Sequence, residues 1–454
     1  NKINNKYYIG IYLTCQYMDK KHFCYIPFDG ITIDPRGLAQ LCPVWSDQLE
    51  HSLHDFTQST TTIENIFYGE RIKEIREKML NDEYIDACNY CYSKEKHNLE
   101  SKRLKYANGR RRESTDIEPK IRYLDISFSN QCNLACAMCN SIHSSHWHHQ
   151  EKSMPQKAVT ALKTHYNYNQ FKPVVLQKEV LESILDNIND LELLIIKGGE
   201  PLYDKNCLTF LDKISDVKPT LKIRMVSNIT SIPKKTLETF NKLKDIEIFA
   251  SIDGIHRTYE WIRGTKFNNI DKNFQVLLNH PNITLLGINF VLSIYNVGNM
   301  INTFNYFSKY QNKIFDSNSI NVYPAVQPYL SANLLLEKHK EVTFKNIIKE
   351  VQENAFKINP IEIQSIENII FNVKDPFPVM SRKENTYNER QAFIEFTNWM
   401  NTVRKFNIQD EHKYIADIML DTIHEQIKNY PTPIAGCDEQ FNYLLEERKR
   451  YENT

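Results

Sequence analysis

The sequence IRYLDISFSNQCNLACAMCN occupies residues 121–140 and joins a predicted strand to three closely spaced cysteines. Apolar residues alternate through 121–128, which predicts a strand. Cys132, Cys136 and Cys139 follow it, separated by three and two residues. Three thiolates can hold a [4Fe–4S] cluster and leave one iron without a protein ligand, an open position for a substrate or cofactor. The alternative interpretation is a zinc site, with a fourth ligand among His143, His146, His148 and His149.

Strand and helix patterns alternate along the chain from residue 121 onward. The predicted strands are 121–128, 193–197, 221–226, 246–251, 283–292 and 319–324. The predicted helices between them include 178–190, 206–217, 233–243, 269–280 and 297–310. Six β–α units in series predict an α/β fold with a parallel sheet and outer helices. This pattern is compatible with a partial (β/α)6 barrel, whose site lies at the carboxyl ends of the strands.

The regions on either side of this core have different patterns. The sequence Asp34-Pro35-Arg36-Gly37 predicts the turn of a short hairpin, and 62–80 has helical periodicity. A polar, basic stretch at 101–120 is interpreted as a linker, and the chain after 337 is predicted to be helical. The expected domains are 1–115, 120–335 and a helical C-terminal region at 336–454.

Composition excludes several classes of protein. The 454 residues carry 56 basic and 56 acidic side chains, so charge indicates no nucleic-acid partner. We find no apolar run long enough to span a membrane and no signal peptide, which predicts a cytoplasmic protein. Ten cysteines in such a chain favour metal ligation over disulfides.

The cysteine triplet after the first core strand resembles the signature of the radical S-adenosylmethionine (radical SAM) superfamily. The resemblance implies an oxygen-sensitive enzyme in which Cys132, Cys136 and Cys139 bind a [4Fe–4S] cluster whose open iron binds SAM. Reductive cleavage of SAM then yields a 5′-deoxyadenosyl radical that abstracts hydrogen from the substrate. The electron donor would be a flavodoxin or ferredoxin.

Motifs at later strand ends extend this resemblance. They assign cofactor binding to Met138, Gly198, Gly199, Glu200, Ser227, Asn228, Ser251, Asp253, Arg263 and Asn296. Glu200 would accept from the SAM ammonium group, while Ser251 and Arg263 would hold its carboxylate. Asn296 would contact adenine or ribose. Met138 replaces an aromatic residue common in the family and would pack near adenine.

A second cysteine group resembles an auxiliary-cluster module called twitch, a shortened SPASM domain. Cys24 and Cys42 flank the predicted hairpin, and Cys88 and Cys91 follow a helical insert. The resemblance implies a second [4Fe–4S] cluster in 1–115, which would relay electrons or support the structure. A four-cysteine zinc knuckle has the same donors, and Cys15 is a spare candidate ligand.

The resemblance does not name a substrate, because function depends on the site that a fold carries. Relatives with such modules often modify peptides or proteins, so a peptide or protein is our first prediction. The segment before Cys24 is too short for a leader-binding winged helix. That observation favours the alternative, a small molecule such as a sugar, aminoglycoside or nucleotide. A non-catalytic metal-stabilised binding protein or electron carrier is the hypothesis from another class.

Overall fold

A computed structural model describes most of the chain. The described residues are 20–45, 51–96, 100–110, 117–166, 175–310, 319–325, 327–353, 360–371, 386–429, 442, 445–446 and 448–449. Cys15, the spare candidate ligand, lies outside them. No helix in these ranges is long and apolar enough to cross a membrane.

One nine-stranded sheet organises the described chain. Its strands are β1 (Gly30–Ile33), β2 (Leu38–Gln40), β3 (His54–Asp55), β4 (Tyr123–Ser127), β5 (Leu193–Lys197), β6 (Lys222–Ser227), β7 (Asp245–Ser251), β8 (Ile283–Leu292) and β9 (Ile320–Pro324). The order across the sheet is β3-β2-β1-β4-β5-β6-β7-β8-β9. The strands from β4 to β9 pair in parallel with their neighbours. The α/β fold with a mostly parallel sheet is therefore confirmed.

The helices follow the predicted alternation. They are α1 (Ile26–Asp29), α2 (Ile63–Phe67), α3 (Glu70–Leu80), α4 (Asn89–Lys96), α5 (Lys102–Arg110), α6 (Trp147–Gln150), α7 (Gln156–Tyr166), α8 (Lys178–Asp186), α9 (Lys205–Val217), α10 (Lys234–Lys242), α11 (His256–Arg263), α12 (Phe267–Leu278), α13 (Met300–Ser308), α14 (Glu337–Glu353), α15 (Pro360–Phe371), α16 (Thr386–Arg404) and α17 (Lys413–Asn429). Helices α14 to α17 match the helical region predicted after residue 337.

The N-terminal hairpin joins the same sheet. Strand β1 pairs antiparallel with β2 and in parallel with β4, so that Ile33 lies opposite Ile126. The predicted turn is present, with Gly37 at a φ of 77° and its N–H donating to Asp34 O at 3.0 Å. Asp29 is buried and pairs with Arg122 at 3.1 Å. The cysteine-rich N-terminal segment thus shares its backbone hydrogen bonds with the core.

The prediction of a linker at 101–120 is wrong for its first half, which forms helix α5. Ser101 is 1% exposed, and its hydroxyl accepts from Leu104 N at 3.2 Å. A serine in this position satisfies a backbone donor of the first helical turn. Ala107 on the same helix is buried. The basic composition of this segment suggested a linker. The capping Ser101 and the buried Ala107 stabilise a helix there.

Candidate functional site

The three core cysteines lie on a loop at the carboxyl end of β4. Ala137 N donates to Ile262 O of α11 at 2.7 Å, and Trp147 Nε1 donates to Cys136 O at 3.1 Å. Trp147 is 1% exposed, so α6 packs against the loop through this side chain. The hydrogen bond to α11 ties the loop to residues more than a hundred positions away. The cysteine loop contains no helix or strand. Hydrogen bonds to α11 and α6 hold it in place instead.

Burial raises the pKa values of the three thiols, and repulsion from neighbouring thiols adds to the shift of Cys132 and Cys139. Burial raises the pKa of Cys132 to about 12, with a further contribution from the charge of Cys136. Burial also raises the pKa of Cys139 well above its ordinary value, and the charges of Cys136 and Cys132 add to the shift. For Cys136, burial raises the pKa while Arg263 opposes the shift. The three thiols thus lie within electrostatic reach of one another and would release protons on binding a metal.

The sequence Gly198-Gly199-Glu200 lets the loop after β5 pass directly against the cysteine loop. Gly199 has a φ of 47°, and a Cβ there would lie 2.3 Å from Gln131 O. Such a contact is possible only for glycine. Glu200 N donates to the same Gln131 carbonyl at 2.7 Å. The paired glycines therefore place Glu200 beside the thiols.

The Glu200 carboxylate is buried and already accepts three hydrogen bonds. Leu202 N and Ser227 Oγ donate to Oε1 at 3.0 and 2.5 Å, and Asn228 N donates to Oε2 at 2.6 Å. Burial raises its pKa, although these donors oppose the shift. A carboxylate has about four lone-pair sites, so one remains for a further donor.

Asn228 links the ends of β4 and β6. Its Nδ2 donates to Asn133 Oδ1 at 3.0 Å and lies 3.9 Å from Cys132 Sγ.

Ser251 ends β7 and is half-buried. Met138 is also half-buried, and its carbonyl accepts from Gln327 Nε2 at 2.8 Å.

Arg263 bridges the cysteine loop and the end of β7. Its Nη1 lies 3.5 Å from Cys136 Sγ, and its Nη2 pairs with the fully buried Asp253. Burial opposes the charge on Arg263, but the nearby Asp253 and Cys136 raise its pKa. Asp253 Oδ1 also accepts from Val291 N at 2.7 Å. The predicted SAM-carboxylate ligand therefore already binds a buried carboxylate of the protein.

Asn296 braces the ends of β7 and β8. Its Nδ2 donates to Asp253 O at 3.0 Å and to Val291 O at 2.9 Å, and its Oδ1 accepts from Ser293 N at 2.8 Å. Asn296 is fully buried. Because these bonds engage both of its side-chain polar atoms, its contact with adenine or ribose stays a prediction.

Several buried polar atoms around the thiols have no hydrogen-bond partner among the described residues. These atoms are Ser127 Oγ, Tyr259 Oη, Arg263 Nε and Gln327 Oε1. Buried polar groups are usually satisfied, so each exception calls for a ligand or a function. Their position fits a bound group with both donors and acceptors, as in the amino-acid part of SAM.

Three residues at this site escaped sequence analysis. Arg404, the last residue of α16, donates to Ala135 O at 2.5 Å and to Trp261 O at 2.7 Å. Tyr259 is fully buried, and its electrostatic neighbours include Arg263 and Cys136. Gln327 follows β9. No local pattern marks these residues, although Tyr259 lies on the same helix as Arg263.

The second cysteine group also comes together. Cys24, Cys42, Cys88 and Cys91 line one cavity, with Tyr92, Lys102 and Arg103 among its other lining residues. All four are free thiols. Burial raises the pKa of Cys42 to about 12, and the charge of Cys91 adds to it. Burial and then the charges of Cys42, Cys24 and Cys91 raise the pKa of Cys88.

The two thiol sets lie at opposite ends of β4. Cys132, Cys136 and Cys139 follow its carboxyl end. Cys24 precedes β1, which begins opposite Tyr123 at the amino end, and Cys42 follows β2, which returns there. In the part of the chain that is described, no three His, Cys, Asp or Glu side chains converge on one point as a preformed single-ion site.

Comparisons with known proteins support the assignment of the core. Residues 126–290 match the model of the radical SAM superfamily. A segment of 138 residues is 27% identical to the GTP 3′,8-cyclase of Thermodesulfovibrio yellowstonii, covering 30% of this chain and 36% of that protein. The chain thus spans about a third of the length of this relative.

Two solved structures are similar over part of the chain. SuiB of Streptococcus suis bound to S-adenosylmethionine has a TM-score of 0.34 and 15% identity, over 66% of this chain and 53% of SuiB. The protein anSMEcpe, bound to AdoMet and a Cp18Cys peptide, has a TM-score of 0.36 and 16% identity, over 52% of this chain and 63% of that one. TM-scores below 0.5 do not establish a common fold, and they carry no information about the substrate.

The match over 126–290 begins within β4 and ends within β8. It therefore contains the three cysteines, the Gly-Gly-Glu sequence and the Asp253–Arg263 pair. In the structure these elements lie near one another at the carboxyl ends of parallel strands. Residues 126–290 of this chain therefore match the radical SAM superfamily of enzymes.

Proposed function

We propose that this protein is an enzyme that cleaves SAM reductively and uses the resulting radical on a substrate. Cys132, Cys136 and Cys139 would hold a [4Fe–4S] cluster, and SAM would bind beside it. When bound, these groups supply one electron and a 5′-deoxyadenosyl radical that abstracts hydrogen from the substrate. The observation that carries the proposal is that three neighbouring thiols lie close to unpartnered buried polar atoms.

The residues around the thiols would orient the cofactor. Glu200 has one remaining acceptor site, which would take the SAM ammonium group. Arg263 offers its unpartnered Nε to a carboxylate while its other nitrogens stay on Asp253 and Cys136. Ser251 would share that carboxylate. Met138, Ser227, Asn228 and Asn296 remain proposed cofactor contacts. Strands β4 to β9 would form the partial (β/α)6 barrel typical of the family.

We further propose that Cys24, Cys42, Cys88 and Cys91 hold an auxiliary [4Fe–4S] cluster in a twitch-like module. The support is their common cavity, which Lys102 and Arg103 also line. Positive charge near a cluster of thiolates offsets its negative charge. With four protein ligands this cluster would be closed to substrate, so it would relay electrons or support the structure. Structural zinc is the competing occupant.

The proposed substrate is a peptide or protein, as for many relatives with auxiliary modules. The alternative is a small molecule such as a sugar, aminoglycoside or nucleotide. Similarity to a relative named for its action on GTP favours this alternative. A flavodoxin or ferredoxin would supply the electron. We also propose a cytoplasmic location, because thiols remain reduced there.

The test is anaerobic reconstitution followed by iron and sulfide counting and a dithionite-driven assay for 5′-deoxyadenosine. Wild type should hold about eight irons and form deoxyadenosine. The triple variant C132A/C136A/C139A should hold about four irons and form none. Bound zinc with no deoxyadenosine in any condition would support a zinc-stabilised binding protein instead. Iron without SAM cleavage would indicate an electron carrier.

A further inference from the structure

Arg404 ends helix α16, far along the chain from the cysteine loop, yet its guanidinium lies between that loop and helix α11. Its Nη2 donates to Ala135 O at 2.5 Å, and its Nε donates to Trp261 O at 2.7 Å. Ala135 directly precedes Cys136. Arg404 itself lies outside the segment 126–290 that matches the superfamily. The C-terminal helices therefore bring a positive charge to the thiol loop.

The packing around Arg404 holds its guanidinium in this position. Gly264 follows α11 with a φ of 76°, and a Cβ there would lie 2.7 Å from Arg404 Nη1. The missing side chain thus leaves the space that the guanidinium occupies. Asn401, one turn earlier on α16, accepts from Trp261 Nε1 at 2.8 Å and from Ile408 N at 3.1 Å. These contacts fix the end of α16 against α11.

The charge of Arg404 has no anionic partner among the residues that the structure describes. Its hydrogen bonds go to two neutral carbonyl groups, whereas Arg263, also at the loop, is paired with Asp253. Burial lowers the pKa of Arg404, and the charge of Cys136 opposes that shift. Removing a cation from water without a counter-charge is costly. This position therefore favours a negatively charged group at the loop.

We propose that Arg404 compensates the negative charge of the iron–sulfur cluster on Cys132, Cys136 and Cys139 and thereby raises its reduction potential. The inference rests on the proposed function, because it requires a cluster at this loop. Three thiolates make the loaded loop negative, and reduction by one electron adds a further negative charge. A fixed cation nearby stabilises the reduced form more than the oxidised form. The C-terminal helices thus control how readily the cluster accepts an electron.

Two substitutions of Arg404 separate its charge from its hydrogen bonds. Arg404→Lys keeps the charge and a donor group, although it loses the forked geometry of the guanidinium. Arg404→Gln keeps an amide donor and loses the charge. Arg390→Gln is the matched control, because Arg390 lies on the same helix and its charge is already paired with Asp421 at 3.1 Å.

The test is a redox titration of the reconstituted protein, monitored by electron paramagnetic resonance. The cluster of the thiol loop is the one whose spectrum changes when SAM is added, because only an open iron can bind it. Arg404→Gln should lower the ratio of reduced to oxidised cluster at a fixed potential about tenfold. For a one-electron couple this change is a fall of about 59 mV in the reduction potential. Arg404→Lys and Arg390→Gln should titrate close to wild type.

The remaining outcomes distinguish this inference from the proposed function. An unchanged potential in Arg404→Gln, or an equal fall in Arg404→Lys, would overturn the inference and leave the proposed function intact. Loss of the SAM-responsive cluster from Arg404→Gln alone would support charge compensation, whereas its loss from both variants would assign Arg404 to packing. A wild-type protein without any SAM-responsive cluster would overturn the proposed function, and the inference with it.

Discussion

At the scale of single residues, the buried charges at the thiol loop have the largest expected energetic effect. Arg263 contacts the loop through Cys136 and is paired with a carboxylate that has no access to solvent. Removing one partner of such a pair leaves an uncompensated buried charge. The function of Arg263 thus includes neutralising Asp253, beyond the predicted binding of the SAM carboxylate.

We expect Arg263→Gln to destabilise the apoprotein by about 3–5 kcal/mol, because Asp253 would stay buried without its partner. Urea unfolding measures this free energy. Lys73→Gln, which breaks the exposed pair with Glu70, is the matched control and should cost less than about 1 kcal/mol. Adding Asp253→Asn to Arg263→Gln should recover part of the loss. Equal losses in the two single variants would contradict this account.

His412 should make stability depend on pH. Burial lowers its pKa from 6.5 to about 4, and its Nε2 lies 2.9 Å from Thr258 Oγ1. Between these values the unfolded chain binds more protons than the folded protein, so stability rises with pH and falls as the pH drops from 6.5 towards 4. The full loss is about 3 kcal/mol.

Urea midpoints of the apoprotein between pH 6.5 and 4 test this prediction. His412→Gln should flatten part of the pH dependence, because glutamine does not titrate in this range. His149→Gln, at an exposed position on α6, should leave the profile as in wild type. An unchanged slope in His412→Gln would show that other groups cause the acid sensitivity.

At the scale of elements, the turn after β5 sets the distance between two active-site loops. Gly198 and Gly199 both have positive φ, and their missing side chains let β5 deliver Glu200 against Gln131. From the sequence, the two glycines were assigned to cofactor binding, and a glycine backbone can approach its neighbours closely. The structure places that approach between two loops of the protein itself.

We expect Gly199→Ala to cost more than about 2 kcal/mol, from the left-handed backbone and the clash with Gln131 O. It should also lower the iron content after reconstitution, because the thiol loop must shift. Gly298→Ala is the control, since its Cβ would meet only the ring edge of Tyr414 at 2.7 Å and its φ is not in the left-handed region. Wild-type stability and iron content in Gly199→Ala would show that the loops are not in contact.

At the scale of the whole molecule, the N-terminal cysteine segment and the core share one sheet. Strand β1 covers the edge of β4, and the buried Asp29 pairs with Arg122 across that boundary. A strand edge exposed by removing its neighbour pairs readily with other chains. Continuity of the sheet also fixes the two thiol sets at opposite ends of a five-residue strand, about 16 Å long.

We therefore expect a fragment that begins at residue 120 to aggregate, because it exposes the edge of β4 and its buried apolar residues. Sedimentation velocity and circular dichroism of the fragment and the full chain measure this difference. A monomeric fragment that unfolds cooperatively would contradict the prediction and would support an independent core domain at 120–335.

The sequence by itself determined the features that depend on neighbouring residues. Periodicity located the strands, and cysteine spacing with the Gly-Gly-Glu sequence located the thiol loop and its acidic neighbour, because strand geometry and metal ligation impose short-range spacings. Only the tertiary structure placed Arg404 on Ala135, 269 residues away, and Lys102 in the cavity of the second cysteine group. Helix α5 was missed for the same reason. Such contacts depend on how distant elements pack, and no local pattern encodes that packing.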